Sequence, residues 1–125
     1  TSLTELDLSV NNIEDEGMRI VSPALQHLTS LTFLDLAENE IANEGMEDLA
    51  RALQYMTSLA SLNLQYNKIE DEGMRMLSGV LHDLTCLTFL DLRTNEVGEE
   101  GIKILKNSIQ MISNLTEVTF YADLE

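Results

Sequence analysis

The 125-residue chain has no tryptophan, one proline, one cysteine, and seven lysine and arginine residues against 22 aspartates and glutamates. Each scarcity excludes something. Cys86 has no second cysteine to bridge, which rules out a small disulfide-stapled secreted scaffold and points to an intracellular, cytoplasmic setting. A formal net charge of −15 leaves no basic surface for phosphate, so neither nucleic acid nor an anionic membrane is expected as a partner. No apolar run approaches the roughly 18 residues of a membrane span. A chain that begins at Thr1 rather than Met is expected to be a piece of a longer one. His27 and His82 occupy unrelated positions, and Cys86 has no orienting third group. There is no glycine-rich phosphate loop and no Cys or His cluster for zinc. Glu-Asp-Glu-Gly lacks the alternating oxygen ligands of a calcium loop. No enzyme activity, cofactor or metal is therefore expected.

What the chain does have is repetition. Leu3, Leu31, Leu59, Leu87 and Leu115, spaced 28 residues apart, each open a segment with a Leu-x-x-Leu-x-Leu-x-x-Asn-x-Ile pattern. Its last Leu position reads Leu8, Leu36, Leu64, Leu92 and then Phe120, and its Asn position Asn11, Asn39, Asn67, Asn95 and then Asp123. Gly17, Gly45, Gly73 and Gly101 each come six residues after the Asn of their copy. A two-repeat unit lies underneath: copies one and three share Ile-Glu-Asp-Glu-Gly-Met-Arg, whereas copies two and four share Leu-Thr-Phe-Leu-Asp-Leu.

Within one copy the hydrophobic period changes. Leu6 and Leu8 alternate with Glu5, Asp7 and Ser9, the pattern of a half-buried strand. Met46, Leu49, Leu53 and Met56 recur at helical steps, as do Met74, Leu77, Leu81 and Leu84. The switch predicts strands at 5–9, 33–37, 61–65, 89–93 and 117–121, and helices at 16–27, 44–55, 72–83 and 100–111. Asp15, Asn43 and Asp71 are placed to cap those helices. Pro23 predicts a kink or restart in the first helix, with Ser22 as a possible cap. Strands pack about 4.8 Å apart and helices about 10 Å, so the stack must curve with its parallel sheet inside. The Asn column is expected to bond backbone groups of neighbouring turns.

These columns resemble the leucine-rich repeat, and the period with Glu-Gly before each helix resembles its ribonuclease-inhibitor-like subtype. The resemblance implies an α/β class, a right-handed solenoid with a parallel concave sheet and convex helices. It makes residues 1–125 one repeat domain, with four full copies from 3, 31, 59 and 87 and a partial fifth from 115. All four full copies keep Asn, where that subtype often alternates Asn with Cys. Proteins with similar repeats bind partners in the concave face, as NOD-like receptors do. Some instead act as GTPase activators or regulate other enzymes, and a purely structural segment of a longer solenoid is a third alternative.

The outward strand positions give the expected binding face. Its first column is Glu5, Phe33, Ser61, Phe89 and Glu117; its second Asp7, Asp35, Asn63, Asp91 and Thr119; its third Ser9, Ala37, Gln65, Arg93 and Tyr121. Phe33 and Phe89 should flank Ser61 as aromatic anchors, with Asp35, Asn63, Asp91, Arg93 and Tyr121 around them. Acidic residues gather between each strand end and the first helical turn, from Glu14 to Glu100. Helix dipoles favour acids there, but stacked like charges repel, so a partner protein or peptide with a basic surface is expected. Both ends should be bare. Leu3, Leu6, Leu8, Ile13 and Met18 at one end, and Leu105, Ile109 and Ile112 at the other, lack a covering repeat, which predicts fraying or self-association.

Overall fold

In the computed structural model, which describes residues 3–110 and the strand at 119–121, five short parallel strands line up in sequence order. They are β1 (Glu5–Asp7), β2 (Phe33–Asp35), β3 (Ser61–Asn63), β4 (Phe89–Asp91) and β5 (Thr119–Tyr121). Between them run helices α1 (Glu14–Leu25), α2 (Asn43–Leu53), α3 (Asp71–Ser78) and α4 (Glu99–Gln110). Every strand pairs only with its sequence neighbours, and every helix packs on the next, which is the geometry of an α/β solenoid. The core fills with one apolar column per repeat position. Leu31, Leu34, Leu36, Ile41, Met46, Leu49 and Leu53 of the second copy are fully buried, as are their counterparts Leu59 to Leu81 of the third.

The strands are shorter than the alternation predicts, and the reason is a substitution of partners rather than an end to pairing. A regular parallel ladder would join the Ala37 amide to the Leu8 carbonyl. Here the Ala37 amide donates to Asp35 Oδ1 (2.9 Å) and the Leu8 carbonyl accepts from Asn39 Nδ2 (2.9 Å). Backbone pairing then resumes one residue on, with the Val10 amide donating to the Ala37 carbonyl. The same exchange recurs through Asn63 and Asn67, and through Asp91 and Asn95.

The Asn column behaves as expected and in one direction. Asn67 Oδ1 accepts from the amides of Asn39 (3.0 Å) and Ile41 (2.9 Å) in the preceding copy. Its Nδ2 donates to the carbonyls of Leu36, Leu64 and Gln65. Asn39 serves Asn11 and Ile13 in the same way.

Four expectations are corrected. Asp15, Asn43 and Asp71 do not cap their own helices. Each reaches forward one repeat instead, accepting from the amides of Ala42, of Glu70 and Gly73, and of Gly98, respectively. Helix α1 does not restart at Pro23, and Ser22 lies inside it without capping a second segment; Arg19 and Pro23 both sit on its exposed side and the helix ends two residues later at Leu25. The break falls instead in α3, at Gly79, which stands 56 residues after Pro23; a short 3-10 turn at Leu81–Asp83 follows. The fifth strand is out of the 28-residue register: Phe89 pairs with Thr119 rather than Glu117, and Leu90 with Phe120. At the bare ends, Leu3 is 47% exposed and Leu6, Leu8 and Ile13 are half-buried, but Met18 and Leu105 are fully buried. Met18 lies on the helix that packs against α2, and Leu105 on the one that packs against α3; Ile109 is half-buried and Ile112 lies outside the described residues.

Two predictions follow from these contacts. Asn67→Ala strips partners from several buried backbone groups, each costing about 1–3 kcal/mol when orphaned, so it should lower stability by about 3 kcal/mol or more. Asn11 is exposed at the sheet edge, and among the described residues its side chain bonds only the Leu8 and Ser9 carbonyls of its own copy, so its change to Ala should cost under about 1 kcal/mol. Urea unfolding of both variants checks the contrast. Glycines divide similarly. A Cβ on Gly73 would stand 2.7 Å from Ile69 Cγ2 and 2.8 Å from Asn43 Oδ1, whereas one on Gly79 meets nothing nearer than the Met76 carbonyl at 3.5 Å. Gly73→Ala should therefore destabilise, and Gly79→Ala, whose φ of −67° suits alanine, should stabilise by about 0.4–1 kcal/mol. Thermal melts that moved in the same direction for both would refute the assignment.

Candidate concave binding face

The sheet register brings the first column together as the alternation requires: Phe33 lies beside Ser61, and Ser61 beside Phe89. The two rings are half-buried, two strands and so roughly 10 Å apart, with the small Ser61 between them. Their inward neighbours Leu34, Leu62 and Leu90 are fully buried, which holds the strand faces fixed.

The second column serves the backbone first. Asp35, Asn63 and Asp91 are aligned across β2–β4, and one side-chain oxygen of each accepts the amide two residues on. Asp91 goes further. It is 1% exposed, and Arg93 grips it with both prongs, Nε to Oδ1 at 3.0 Å and Nη2 to Oδ2 at 2.7 Å. A forked pair of this kind neutralises a buried carboxylate that would otherwise be costly to desolvate. Arg93 itself stays exposed. At the exposed edge, Asp7 is held below the usual carboxylate range by the Ser9 hydroxyl and then the Ser9 amide. Tyr121 pairs with Asp91, which moves it from the third column to the second; only its backbone is described.

The acidic belt separates into a structural line and a solvent line. Asp15 and Asp71 are half-buried and spent on the cross-repeat bonds described above. Others are paired: Glu16 with Arg19, Asp48 and Glu47 with Arg51, Glu72 with Arg75, and Glu40 with Lys68. The Arg19 guanidinium holds the Glu16 carboxyl below its ordinary value by hydrogen bond and charge, and the Arg19 pKa rises correspondingly. Glu14, Glu38, Glu44, Glu96, Glu99 and Glu100 are exposed and hold no ion pair among the described residues. Arg19, Arg51, Lys68, Arg75 and Arg93 are each matched to a carboxylate, so the field outside the molecule is that of the surplus acids.

The alternation does not reveal a second surface beside this face. Just past the strand ends Val10, Glu38, Tyr66 and Thr94, one per repeat, all have positive φ between 56° and 58°. They line an open groove of about 520 Å³ together with Glu40, Lys68 and Glu96. None of the four is Gly or Asn, the residues that usually mark this backbone region. His27, His82 and Cys86 are all exposed. Among the described residues no three His, Cys, Asp or Glu side chains converge as metal ligands, and no helix is long and apolar enough to cross a membrane.

Comparison with known proteins agrees with this architecture. The family profile described as Leucine Rich repeat matches residues 1–19, 27–50, 55–78 and 83–105, well over half of the chain. No curated protein sequence matches. Among solved structures, the leiomodin-1 actin-binding site 2 domain superposes with a TM-score of 0.78 at 20% identity, over 94% of this chain and 70% of that one. The Caenorhabditis elegans tropomodulin C-terminal domain superposes with a TM-score of 0.80 at 15% identity, over 100% of this chain and 75% of that one. At such identities the likeness is one of fold. Taken with the Asn column that joins repeat to repeat, the profile match establishes that the chain belongs to the leucine-rich repeat family.

Proposed function

We propose that the chain is a protein-interaction module. Its concave face, centred on Phe33, Ser61 and Phe89, docks a protein or peptide partner, and the acidic rim draws in a basic surface of that partner. The observation that carries the reading is the Phe33–Ser61–Phe89 row: two half-exposed rings in register, on a rigid sheet, with a small residue between them. Aromatics fixed in this way lose little entropy on binding and form the usual centre of an interface. Arg93 and Asp35 stand beside the row as polar contacts, with Asn63 and Tyr121 extending it; Asp91, 1% exposed, holds the Arg93 guanidinium in place rather than meeting the partner itself. The leiomodin-1 domain of similar fold is described as an actin-binding site, a precedent for such a crescent acting as a docking surface rather than a catalyst.

Changing Phe33 and Phe89 together to Ala should weaken partner binding at least about tenfold, given about 2 kcal/mol per central aromatic, and leave the folded circular-dichroism signal in place. Calorimetry against the captured partner measures this, and an unchanged affinity would remove the concave face from the interface. Charge makes a separate prediction. Surface fields are screened beyond about 8 Å at physiological salt, so the association rate should fall as ionic strength rises while dissociation changes little. Stopped-flow mixing at low and high salt reads both rates, and an association rate indifferent to salt would leave the rim with solubility and helix-end roles alone.

A further inference from the structure

The groove past the strand ends differs in chemistry from the concave row. Positive φ at Val10, Glu38, Tyr66 and Thr94 swings one side chain per repeat onto the same rim, about 4.8 Å apart along the stack. Two of the most exposed large apolar side chains among the described residues result, Val10 at 66% and Tyr66 at 54%. The lining carries three carboxylates, Glu38, Glu40 and Glu96, against one ammonium, Lys68. Glu40 already binds Lys68 at 3.0 Å. Glu38 and Glu96 hold no ion pair among the described residues, and they belong to the repeats on either side of Tyr66. Lys68 is held above its ordinary pKa by its hydrogen bond to Glu40 and by that carboxylate's charge, with Glu96 and Glu14 adding to it at longer range.

An exposed aromatic ring flanked by two unpaired carboxylates is complementary to one side chain above others. Arginine is planar, weakly hydrated, stacks on aromatic faces and forks to carboxylates, whereas lysine is a compact, strongly hydrated point charge. We propose that the groove seats an extended, arginine-bearing segment of the partner protein, with one guanidinium on the Tyr66 ring between Glu38 and Glu96. Val10, two repeats away, supports the apolar part of the same segment. The inference rests on the chain being a partner-binding module, and it assigns the rim a contact distinct from that of the concave row.

The test uses the 125-residue chain and two labelled probe peptides of equal length and charge, one alternating Arg with Ser and one alternating Lys with Ser, followed by fluorescence anisotropy and amide chemical shifts. The Arg peptide should bind at least about threefold tighter than its Lys twin, the margin expected of a stacked guanidinium. Tyr66→Ala should erase that margin, and Glu38→Gln with Glu96→Gln should weaken the Arg peptide by more than the Lys peptide. Shifts should concentrate at Glu38, Tyr66, Thr94 and Glu96. Equal binding of the two peptides, or an Arg preference that survives Tyr66→Ala, would overturn the proposal in favour of diffuse charge attraction. The Phe33→Ala/Phe89→Ala variant separates the two surfaces. If it leaves peptide binding intact, the groove stands whatever becomes of the concave row; if it abolishes peptide binding, the peptide lies on the sheet and the groove is refuted.

Discussion

Everything in this molecule depends on satisfying backbone groups that the turn after each strand takes out of the ladder. A parallel sheet stacked from three-residue strands must bend sharply at every strand end, and a bend inside a packed core leaves amides and carbonyls with no water to bond. The chain meets this with two side chains per repeat. An Asp or Asn inside the strand takes the amide, and the Asn after it takes the carbonyl and two amides of the copy before. The apolar columns then have a fixed frame to fill, and the helices are spaced by Asp15, Asn43 and Asp71 reaching forward.

That division of labour alters how the concave surface is understood. Carboxylates pointing out of a binding face invite a ligand, yet Asp35, Asn63 and Asp91 each have one oxygen committed to the backbone, and Asp91 is also closed off by Arg93. What the sheet offers a partner is therefore the outer edge of this column plus the two rings, on a surface that cannot rearrange without breaking its own turns. Rigidity of this kind favours binding by shape, with most of the unpaired charge on the rim.

Much of this was legible in the order of residues. Period two followed by period 3.6 located the strands and helices, and the spacing of Leu and Asn located the core and its polar seam. The fifth strand was not legible, for a physical reason: a slip of two residues keeps the alternation intact, so the pattern reads the same whether Phe120 pairs with Leu92 or with Leu90. The structural role of the second column was visible in principle, since Asp7, Asp35, Asn63 and Asp91 all belong to the small class of side chains that fold back on the backbone two residues on. The rim groove carried no such sign. Val, Glu, Tyr and Thr are unusual occupants of positive φ, and only the tertiary fold, pulling the chain from sheet to helix, puts them there.

The polar seam also has a direction. Each Asn serves the copy before it, and each helix-start Asp or Asn serves the copy after it. The two ends of a repeat are thus plug and socket rather than mirror images, and any copy fits behind any other. A stretch of gene that encodes one such unit, or the two-repeat unit visible in copies one to four, can be doubled in tandem and brings half of every junction with it. Growth by copying is easy for this architecture; reversal of a repeat, or a swap that removes one plug, is felt by the neighbour that loses its socket.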